Sequence, residues 1–318
     1  MSKAKVLYIT SLGHSGSTLL DLLAGTLPDT FSMGEVHFLS WQLLQGAKPN
    51  DPQTYCSCGK EFKNCKVYGK VLNDINFEKK VDVFKTPQKY DFSLTRHIVR
   101  YKSKITKRIA NKVLEISLKS VYLKPIALFI YIFYYRSIKR NWDLFDRVSK
   151  QTGKKYLIDS SKDFLRFWLL KMHRPEDIKL IILSRDLKGV ASSSHGGLNQ
   201  NIIDQRIKSW LEYHNVKIKP AQKYLNKSEY IYIKYEDICE NAKNVRRIIA
   251  NFIQVPVGDI EFENILSPYK YHTIQGNPMR LIKDDIEIKH DERWKKRLSK
   301  EQIKNINRAM KNLILKIN

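Results

Sequence analysis

The sequence predicts a three-layer α/β fold, in which helices cover both faces of a central parallel sheet of about five strands. Short β-branched or aromatic segments alternate with helical segments along the chain, which is the pattern of a parallel sheet. The predicted strands are residues 5–10, 31–34, 155–158, 178–183 and 229–234. The predicted helices are residues 17–27, 163–173, 186–195 and 201–225, with further helices to the end of the chain.

The segmentation favours one domain over residues 1–318 with a long insertion inside it. No internal repeat and no low-complexity linker divides the chain. Most of residues 45–150 belong to no predicted strand, and this stretch holds three cysteines and a basic segment. We therefore expect residues 45–150 to be a Cys-containing, basic and helical insertion.

The composition is that of a globular and strongly basic protein. The 318 residues include 57 Lys and Arg against 32 Asp and Glu, which gives a formal charge of +25, and 42% are apolar. Such an excess favours an anionic partner, whether nucleic acid, acidic lipid or a polyanionic small molecule.

Four cysteines are too few for a disulfide scaffold, and no signal-peptide core follows Met1. The longest apolar run, from Pro125 to Tyr135, has 11 residues and is too short to span a membrane. We expect a cytoplasmic protein without a transmembrane anchor.

A glycine-containing loop lies between the first predicted strand and the first predicted helix. Two glycines allow a tight turn that points successive N–H groups and the helix N-terminus at one place, where three hydroxyl groups add donors. This arrangement favours phosphate or a similar oxyanion. Its residues are Gly13, Ser15, Gly16, Ser17 and Thr18.

The spacing of this loop differs from that of nucleotide kinases. Only two residues separate Gly13 from Gly16, whereas the kinase pattern needs four, and no Lys precedes the Ser or Thr. An ordinary strand-to-helix turn capped by Ser is the other interpretation.

Five further segments follow the loop in an order that makes the pattern specific. The whole series resembles sulfotransferases that use 3′-phosphoadenosine-5′-phosphosulfate (PAPS), of the bacterial type related to tyrosylprotein and carbohydrate sulfotransferases. The segments are Ser32-Met33-Gly34-Glu35, Asp159-Ser160-Ser161-Lys162, residues 180–194 with Arg185 and Ser193, Tyr235-Glu236-Asp237, and residues 272–280 ending at Arg280.

The resemblance implies a P-loop-like fold and a donor site with assigned parts. The loop, here Gly13, His14, Ser15, Gly16, Ser17, Thr18 and Leu19, would hold the 5′-phosphosulfate. Arg185, whose guanidinium suits a phosphate, and Ser193 would hold the 3′-phosphate, and Arg280 is a further candidate donor ligand. Trp294 either stacks on adenine or packs in the core.

The chemistry needs a base for the acceptor hydroxyl and positive charge on the leaving group. Glu35, at the end of the second predicted strand, is the candidate base, and we expect the neighbouring His37 to be a surface histidine. Related proteins carry Lys or Arg where this loop has His14, which is only partly protonated near neutral pH. Lys162, at the end of a predicted parallel strand, is the natural substitute, with His14 as a second candidate.

Three cysteines lie close together in the insertion. Cys56, Cys58 and Cys65 are one thiol short of a structural zinc site, and the local spacing supplies no fourth ligand. A structural thiol cluster, free or redox-labile cysteines, and a zinc site all remain open, and we assign no metal ligand. The reaction requires no metal if cations neutralise the charge.

The basic segment accounts for much of the net charge. Phe92 to Trp142 contains 12 Lys and Arg against one acidic residue, Glu115. Ile98, Tyr101, Ile105, Ile109, Val113 and Ile116 recur at helical spacing, which predicts a basic amphipathic helix. It fits either a helical cap with solvated cations or peripheral contact with an anionic membrane through residues 92–142.

The sequence therefore predicts an enzyme, a PAPS-dependent sulfotransferase that moves a sulfuryl group to an acceptor hydroxyl. Carbohydrate, lipid-linked, peptide-tyrosine and small-metabolite acceptors all remain open. A nucleotide kinase is the first alternative and lacks its loop Lys. A basic nucleic-acid-binding protein is the second, and no zinc-finger or RNA-recognition signature supports a nucleic-acid partner.

Overall fold

A five-stranded parallel sheet forms the centre of the computed structural model, which describes residues 3–95, 109, 112, 113, 116, 124–193, 198–258 and 264–317. Its strands lie in the order β2–β3–β1–β4–β5, and every neighbouring pair is parallel. This confirms the predicted fold class. The strands are β1 (Lys5–Ser11), β2 (Thr30–Gly34), β3 (Tyr156–Lys162), β4 (Ile178–Ser184) and β5 (Tyr230–Lys234).

Helices cover both faces of this sheet. Along the chain the described helices are α1 (Ser17–Ala24), α2 (Leu39–Gln45), α3 (Tyr68–Lys79), α4 (Lys124–Thr152), α5 (Phe164–His173), α6 (Leu187–Ser192), α7 (Gln200–Tyr213), α8 (Lys219–Tyr224), α9 (Tyr235–Glu240), α10 (Ala242–Ile253), α11 (Trp294–Arg297) and α12 (Lys300–Ile317).

The core is divided by the sheet, because successive side chains of a strand point to opposite faces. On β1, Val6 and Tyr8 join the cluster that contains α3, α4 and α5, whereas Leu7 and Ile9 join the cluster that contains α1 and α10. Helices of the insertion therefore pack directly on one face of the sheet. The division into one domain with an insertion stays a prediction.

The observed elements differ from the predicted ones in several places. β3 continues to Lys162 rather than ending at residue 158, so the Asp-Ser-Ser-Lys segment belongs to the strand. The helix expected over 201–225 is interrupted by a π-helical turn, His214–Ile218, just before Pro220, whose missing N–H disfavours a regular α-helix. A small antiparallel sheet of β6 (Ile265–Leu266) and β7 (Ile286–Glu287) lies where only helices were expected.

The described part of the insertion is helical and contains no strand of the sheet. Most of the predicted basic helix, from Ile98 to Ile116, lies outside the described residues. Of its apolar positions, Ile109 and Ile116 are exposed, and Val113 packs on the core. Within the described ranges, no helix has both the length and the hydropathy needed to cross a membrane.

Candidate active site

The candidate residues meet at the carboxyl edge of the sheet. The glycine loop follows β1, Glu35 follows β2, Lys162 ends β3 and Arg185 follows β4. Because the strands are parallel, their carboxyl ends lie at one edge, which is where open α/β sheets bind ligands. β1 has a strand on either side, so the loop lies between Lys162 and Arg185.

The loop between β1 and α1 is shaped to present backbone N–H groups. His14 and Gly16, on either side of Ser15, have positive φ, of 65° and 86°, and left-handed residues in a turn can point successive N–H groups into an anion-binding concavity. No side chain caps α1, and the first N–H groups of a helix have no intrahelical acceptor. The loop can therefore bind an anion through its backbone.

The hydroxyl groups expected to assist are largely shielded. Ser15, Ser17 and Thr18 are 2%, 4% and 8% exposed, and Leu19 is also buried. Thr18 Oγ1 accepts a hydrogen bond of 2.9 Å from the Asn277 N–H. Thr18 therefore ties the start of α1 to the late segment around residue 277, and its contact with a donor stays a prediction.

Glu35 and Lys162 form an ion pair at this edge. The Lys162 ammonium donates to Glu35 Oε1, and the two side chains are 19% and 7% exposed, respectively. The Thr10 hydroxyl donates to the Lys162 carbonyl across 2.8 Å, which anchors Lys162 beside the loop strand. Lys162 itself has φ 67°, so the chain turns sharply as β3 ends. A carboxylate that can accept a proton and an ammonium that can stabilise a negative charge thus lie side by side.

His37 is buried beside this pair, and the expectation of a surface histidine is wrong. It is 0% exposed, and its Nε2 lies 3.8 Å from Glu35 Oε2. His37 lies in the short 3₁₀ turn Val36–Phe38, which directs the imidazole inward, and the His37 backbone N–H donates to Ser161 Oγ. A single His after a short strand gives no sequence signal that distinguishes a buried histidine from a surface one.

A buried polar network supports the edge from below, and sequence reasoning missed it. Asp159 accepts from Ser161 and from the Arg166 guanidinium, and both Asp159 and Arg166 are 0% exposed. Burial raises the pKa of Asp159. Arg166 also donates to the Phe92 carbonyl and to Asn141, so the insertion and β3 share one buried cation. An Arg within the apolar first two turns of α5 was the available signal.

A second buried carboxylate lies on α1. Asp21 accepts from the hydroxyls of Ser32 on β2 and Ser160 on β3. Burial raises the pKa of Asp21 from 3.8 to about 7, against the opposing effect of these two hydrogen bonds. Asp21 therefore connects α1, which follows the loop, to β2 and β3, which lead to Glu35 and Lys162.

Arg185 lies behind the loop and is held on several sides. Its Nη1 donates to the His14 carbonyl across 3.0 Å, and its Nη2 lies 3.1 Å from Asp291 Oδ2. The guanidinium stacks on the Tyr235 ring at 4.2 Å, and the same ring packs against Gly16. Arg293 and Arg185 hold the pKa of Asp291 well below its usual range. Sequence reasoning missed both Tyr235 and Asp291 as neighbours of Arg185.

The remaining predicted residues have different surroundings. The Ser193 hydroxyl, at the end of α6, donates to the Val190 carbonyl. Arg280 is 0% exposed and donates to the carbonyls of Gln53, Tyr55 and Thr273, while burial lowers its pKa to about 10. In this conformation Arg280 joins the insertion to the late segment rather than facing the loop, and its donor contact stays a prediction.

Trp294 packs on the small cluster around α6 and α7, with Lys188 Nζ 4.7 Å from its ring. This places it on the Arg185 side of the edge. This packing is compatible with both predicted roles, because a partly buried ring can also stack on adenine.

Fold and site together define an α/β protein with a loop shaped to bind an anion and a pair of a buried carboxylate and a partly buried ammonium at the carboxyl edge of its sheet. No family model and no curated protein matches the sequence. Among solved structures, the chain is similar to several sulfotransferases. They include the sulfotransferase domain of the curacin biosynthetic pathway (14% identity, TM-score 0.46, 97% of this chain and 98% of that one).

Two other similar structures are the sulfotransferase domain of the Synechococcus PCC 7002 olefin synthase and a sulfotransferase of Mycobacterium tuberculosis H37Rv. The first is 16% identical with a TM-score of 0.41, over 80% of this chain and 75% of that one. The second is 12% identical with a TM-score of 0.43, over 81% and 69%. Because these scores are low, the function has to be inferred from the residues of the site.

Proposed function

We propose that the protein is a sulfotransferase that moves a sulfuryl group from PAPS to an acceptor hydroxyl. The observation that carries the proposal is the Glu35–Lys162 pair beside an anion-binding loop that lacks the kinase lysine. In-line transfer of a sulfuryl group requires that the protein position the donor and the acceptor, supply a base for the acceptor proton and place a positive charge beside the leaving oxygen. The order of sequence motifs supports the same reaction.

In the proposed reaction the acceptor oxygen attacks sulfur while the bond from sulfur to the bridging phosphate oxygen breaks. The acceptor proton passes to Glu35, and the products are a sulfate ester and 3′,5′-adenosine bisphosphate. Lys162 stabilises the charge that develops on the bridging oxygen, for which its ion pair with Glu35 has to open. Opening the pair frees both groups for their separate tasks.

The two ends of the donor have separate cations in this proposal. The backbone N–H groups of the loop hold the 5′-phosphosulfate, with His14 as a second cation when protonated. Arg185 and the Ser193 hydroxyl hold the 3′-phosphate. Asp291 competes for Arg185, because a carboxylate 3.1 Å from the guanidinium occupies one side of it. A bound 3′-phosphate would replace that carboxylate contact.

The acceptor side of the proposal involves the insertion. Leu128, Phe129 and Ile132, on the first half of α4, are 55%, 69% and 63% exposed. Exposed apolar side chains beside a basic segment suit the surface of an anionic membrane. We therefore include peripheral membrane contact, which would bring a lipid-linked hydroxyl within reach.

Calorimetric titration tests the donor. We expect saturable binding of 3′,5′-adenosine bisphosphate, a loss of affinity of about tenfold or more in Arg185→Ala because a charge-assisted phosphate contact is removed, and little response to ATP or to a DNA duplex. Lys179→Ala, which lies on the strand preceding Arg185 and contacts Phe252, is the control. Binding of ATP without binding of the bisphosphate would overturn the proposal in favour of a kinase.

A further inference from the structure

Four metal-ligating side chains that have no assigned part in the candidate active site come together. The thiols of Cys56, Cys58 and Cys65 and the imidazole of His272 offer ligand atoms that all lie within 4.8 Å of one another. The sequence supplies the three thiols but places the histidine more than two hundred residues later. Only the fold reveals the fourth ligand.

The three distances among Cys56, Cys65 and His272 are those of a tetrahedral centre, and Cys58 offers its sulfur within 4.8 Å of the other ligand atoms. Cys56 Sγ and Cys65 Sγ are 3.7 Å apart, and His272 Nδ1 lies 3.3 Å from Cys65 Sγ and 3.8 Å from Cys56 Sγ. Bonds of about 2.3 Å to sulfur and about 2.0 Å to nitrogen, at tetrahedral angles, separate two sulfurs by about 3.8 Å and a sulfur from a nitrogen by about 3.5 Å. A disulfide would bring two sulfurs to about 2.0 Å, and all four cysteines are free.

The chain around the four side chains is built to hold them. The Gly59 N–H donates to the Cys56 carbonyl and the Cys56 N–H to the Lys60 carbonyl, which closes a tight turn. The Ser57 hydroxyl bonds to the Tyr271 carbonyl and the Thr273 N–H, on either side of the histidine. Such contacts fix ligand orientation from outside the centre.

Burial explains why these groups need a cation. Cys56, Cys65 and His272 are 0%, 2% and 7% exposed, Cys58 is partly buried, and thiols packed together away from water offer one another only weak hydrogen bonds. A divalent ion among them converts the thiols to bound thiolates and satisfies all four groups at once. Three sulfurs and one nitrogen are a ligand set that favours zinc, while four protein ligands leave no open position for chemistry.

We propose that Cys56, Cys58, Cys65 and His272 bind one structural zinc ion. The ion would fasten the start of the insertion to the late segment that includes His272. That segment in turn contacts the edge of the sheet, since the Ile274 N–H donates to the Met33 carbonyl. The proposal does not depend on the reaction that the protein catalyses.

Metal analysis of the full chain, purified without chelator, tests the proposal. We expect about one zinc ion per wild-type chain and a loss of about tenfold or more in Cys65→Ser and in His272→Ala. Cys239→Ser is the matched control, since Cys239 is remote from the cluster and contacts the Lys289 carbonyl; it should keep the wild-type zinc content. Cobalt substitution should give thiolate-to-metal charge-transfer absorption in the wild type and in Cys239→Ser.

Two measurements on the wild type keep the test independent of whether the variants fold. Blocking the thiols should release the zinc into a colorimetric indicator, and a non-reducing peptide map should contain no Cys56–Cys65 disulfide. Wild-type protein from zinc-supplemented cells that contains no zinc, holds iron instead, or contains that disulfide would overturn the proposal. Zinc that is retained after the thiols are blocked would also overturn it.

Discussion

The carboxyl edge of the sheet and the first half of α4 hold positive charge in opposite ways. At the edge, Arg166 is 0% exposed and bonded to Asp159, and Lys162 is paired with the buried Glu35. On α4, Arg136 and Lys139 are exposed, beside the exposed Phe129 and Ile132. The edge gives each of these cations an acidic partner inside the protein, whereas the exposed Arg136 and Lys139 are available to a partner outside.

This difference shows why a net charge cannot be interpreted as a single property. Removing one member of a buried pair leaves the other charged and unsolvated, which destabilises the fold. Removing an exposed cation or apolar side chain changes the fold little and changes binding instead. Substitutions at the two places should therefore differ in what they alter as well as in how much.

The largest effect is expected at Arg166. Arg166→Ala leaves Asp159 buried without its cation and should lower the free energy of unfolding by about 3–5 kcal/mol. Arg147→Ala is the control, because Arg147 pairs with Glu78 and Asp143 near the surface and should cost about 1 kcal/mol or less. Urea unfolding measures both, and equal losses would contradict the contrast between buried and exposed pairs.

A pH effect follows from Asp21. Its pKa is about 7 in the folded chain against an ordinary 3.8, so the folded state retains a proton that the unfolded state releases. The resulting stability is fully present below pH 3.8 and is lost as the pH rises to about 7, a total on the order of 4 kcal/mol.

Asp21→Asn has no such proton to lose, and it isolates this effect from the other titrating groups. The free energy of unfolding of the wild type, relative to that of Asp21→Asn, should fall between pH 4 and pH 7 and stay level above it. Urea unfolding at a series of pH values measures the difference. A difference that is independent of pH would show that Asp21 is ionised in the folded chain.

The effect of Lys162 on catalysis, expressed as an activation free energy, is expected to be similar to or smaller than the effects of Arg166 and Asp21 on stability. Lys162→Ala should lower turnover about 10²–10³-fold, because a charge on the leaving oxygen is removed from a site where it acts at short range. Lys155, exposed at the amino end of the same strand, is the matched position, and Lys155→Ala should leave turnover near that of the wild type. Sulfate transfer from labelled donor measures both, and equal losses or none would remove Lys162 from the mechanism.

The smallest effect on stability is expected on α4. Phe129→Ser combined with Ile132→Ser should change the free energy of unfolding by about 0.5 kcal/mol or less per site yet reduce co-sedimentation with anionic vesicles. Phe77→Ser is the control, since Phe77 is 87% exposed on α3 and lies outside the basic segment Phe92 to Trp142. Equal sedimentation with anionic and neutral vesicles by the wild type would contradict the membrane proposal.

The sheet was predictable because its strands are short apolar runs bounded by turns, and alternation with helices determines that they are parallel. The positions of Glu35, Lys162 and Arg185 followed, since parallel strands end at one edge. The Asp-Ser-Ser-Lys segment was less predictable as part of β3. Polar residues in a strand usually argue for a turn, and only the hydrogen bonds to Asp21 and Arg166 make their burial tolerable.

The partners of the charged residues were not predictable, because they lie far away in the sequence. Arg185 meets Asp291, Asp159 shares Arg166 with Asn141, and His272 meets the three thiols. Each contact depends on how a loop returns to the sheet, and spacing along the chain carries no information about that return. The backbone partners of Arg280 were equally unpredictable, since the carbonyls of Tyr55 and Thr273 that accept from it lie in two separate loops.

The Tyr235 ring has a consequence for any measurement on the donor site. The ring packs against Gly16 on one side and carries the Arg185 guanidinium at 4.2 Å, while Arg185 also bonds to the His14 carbonyl. The loop and Arg185 are therefore joined by direct contacts, and a shift of one is expected to shift the other, although they would bind opposite ends of the proposed donor. Substitutions in the two should be non-additive in a double-mutant cycle, so the affinity for adenosine bisphosphate cannot be divided into a share for each phosphate.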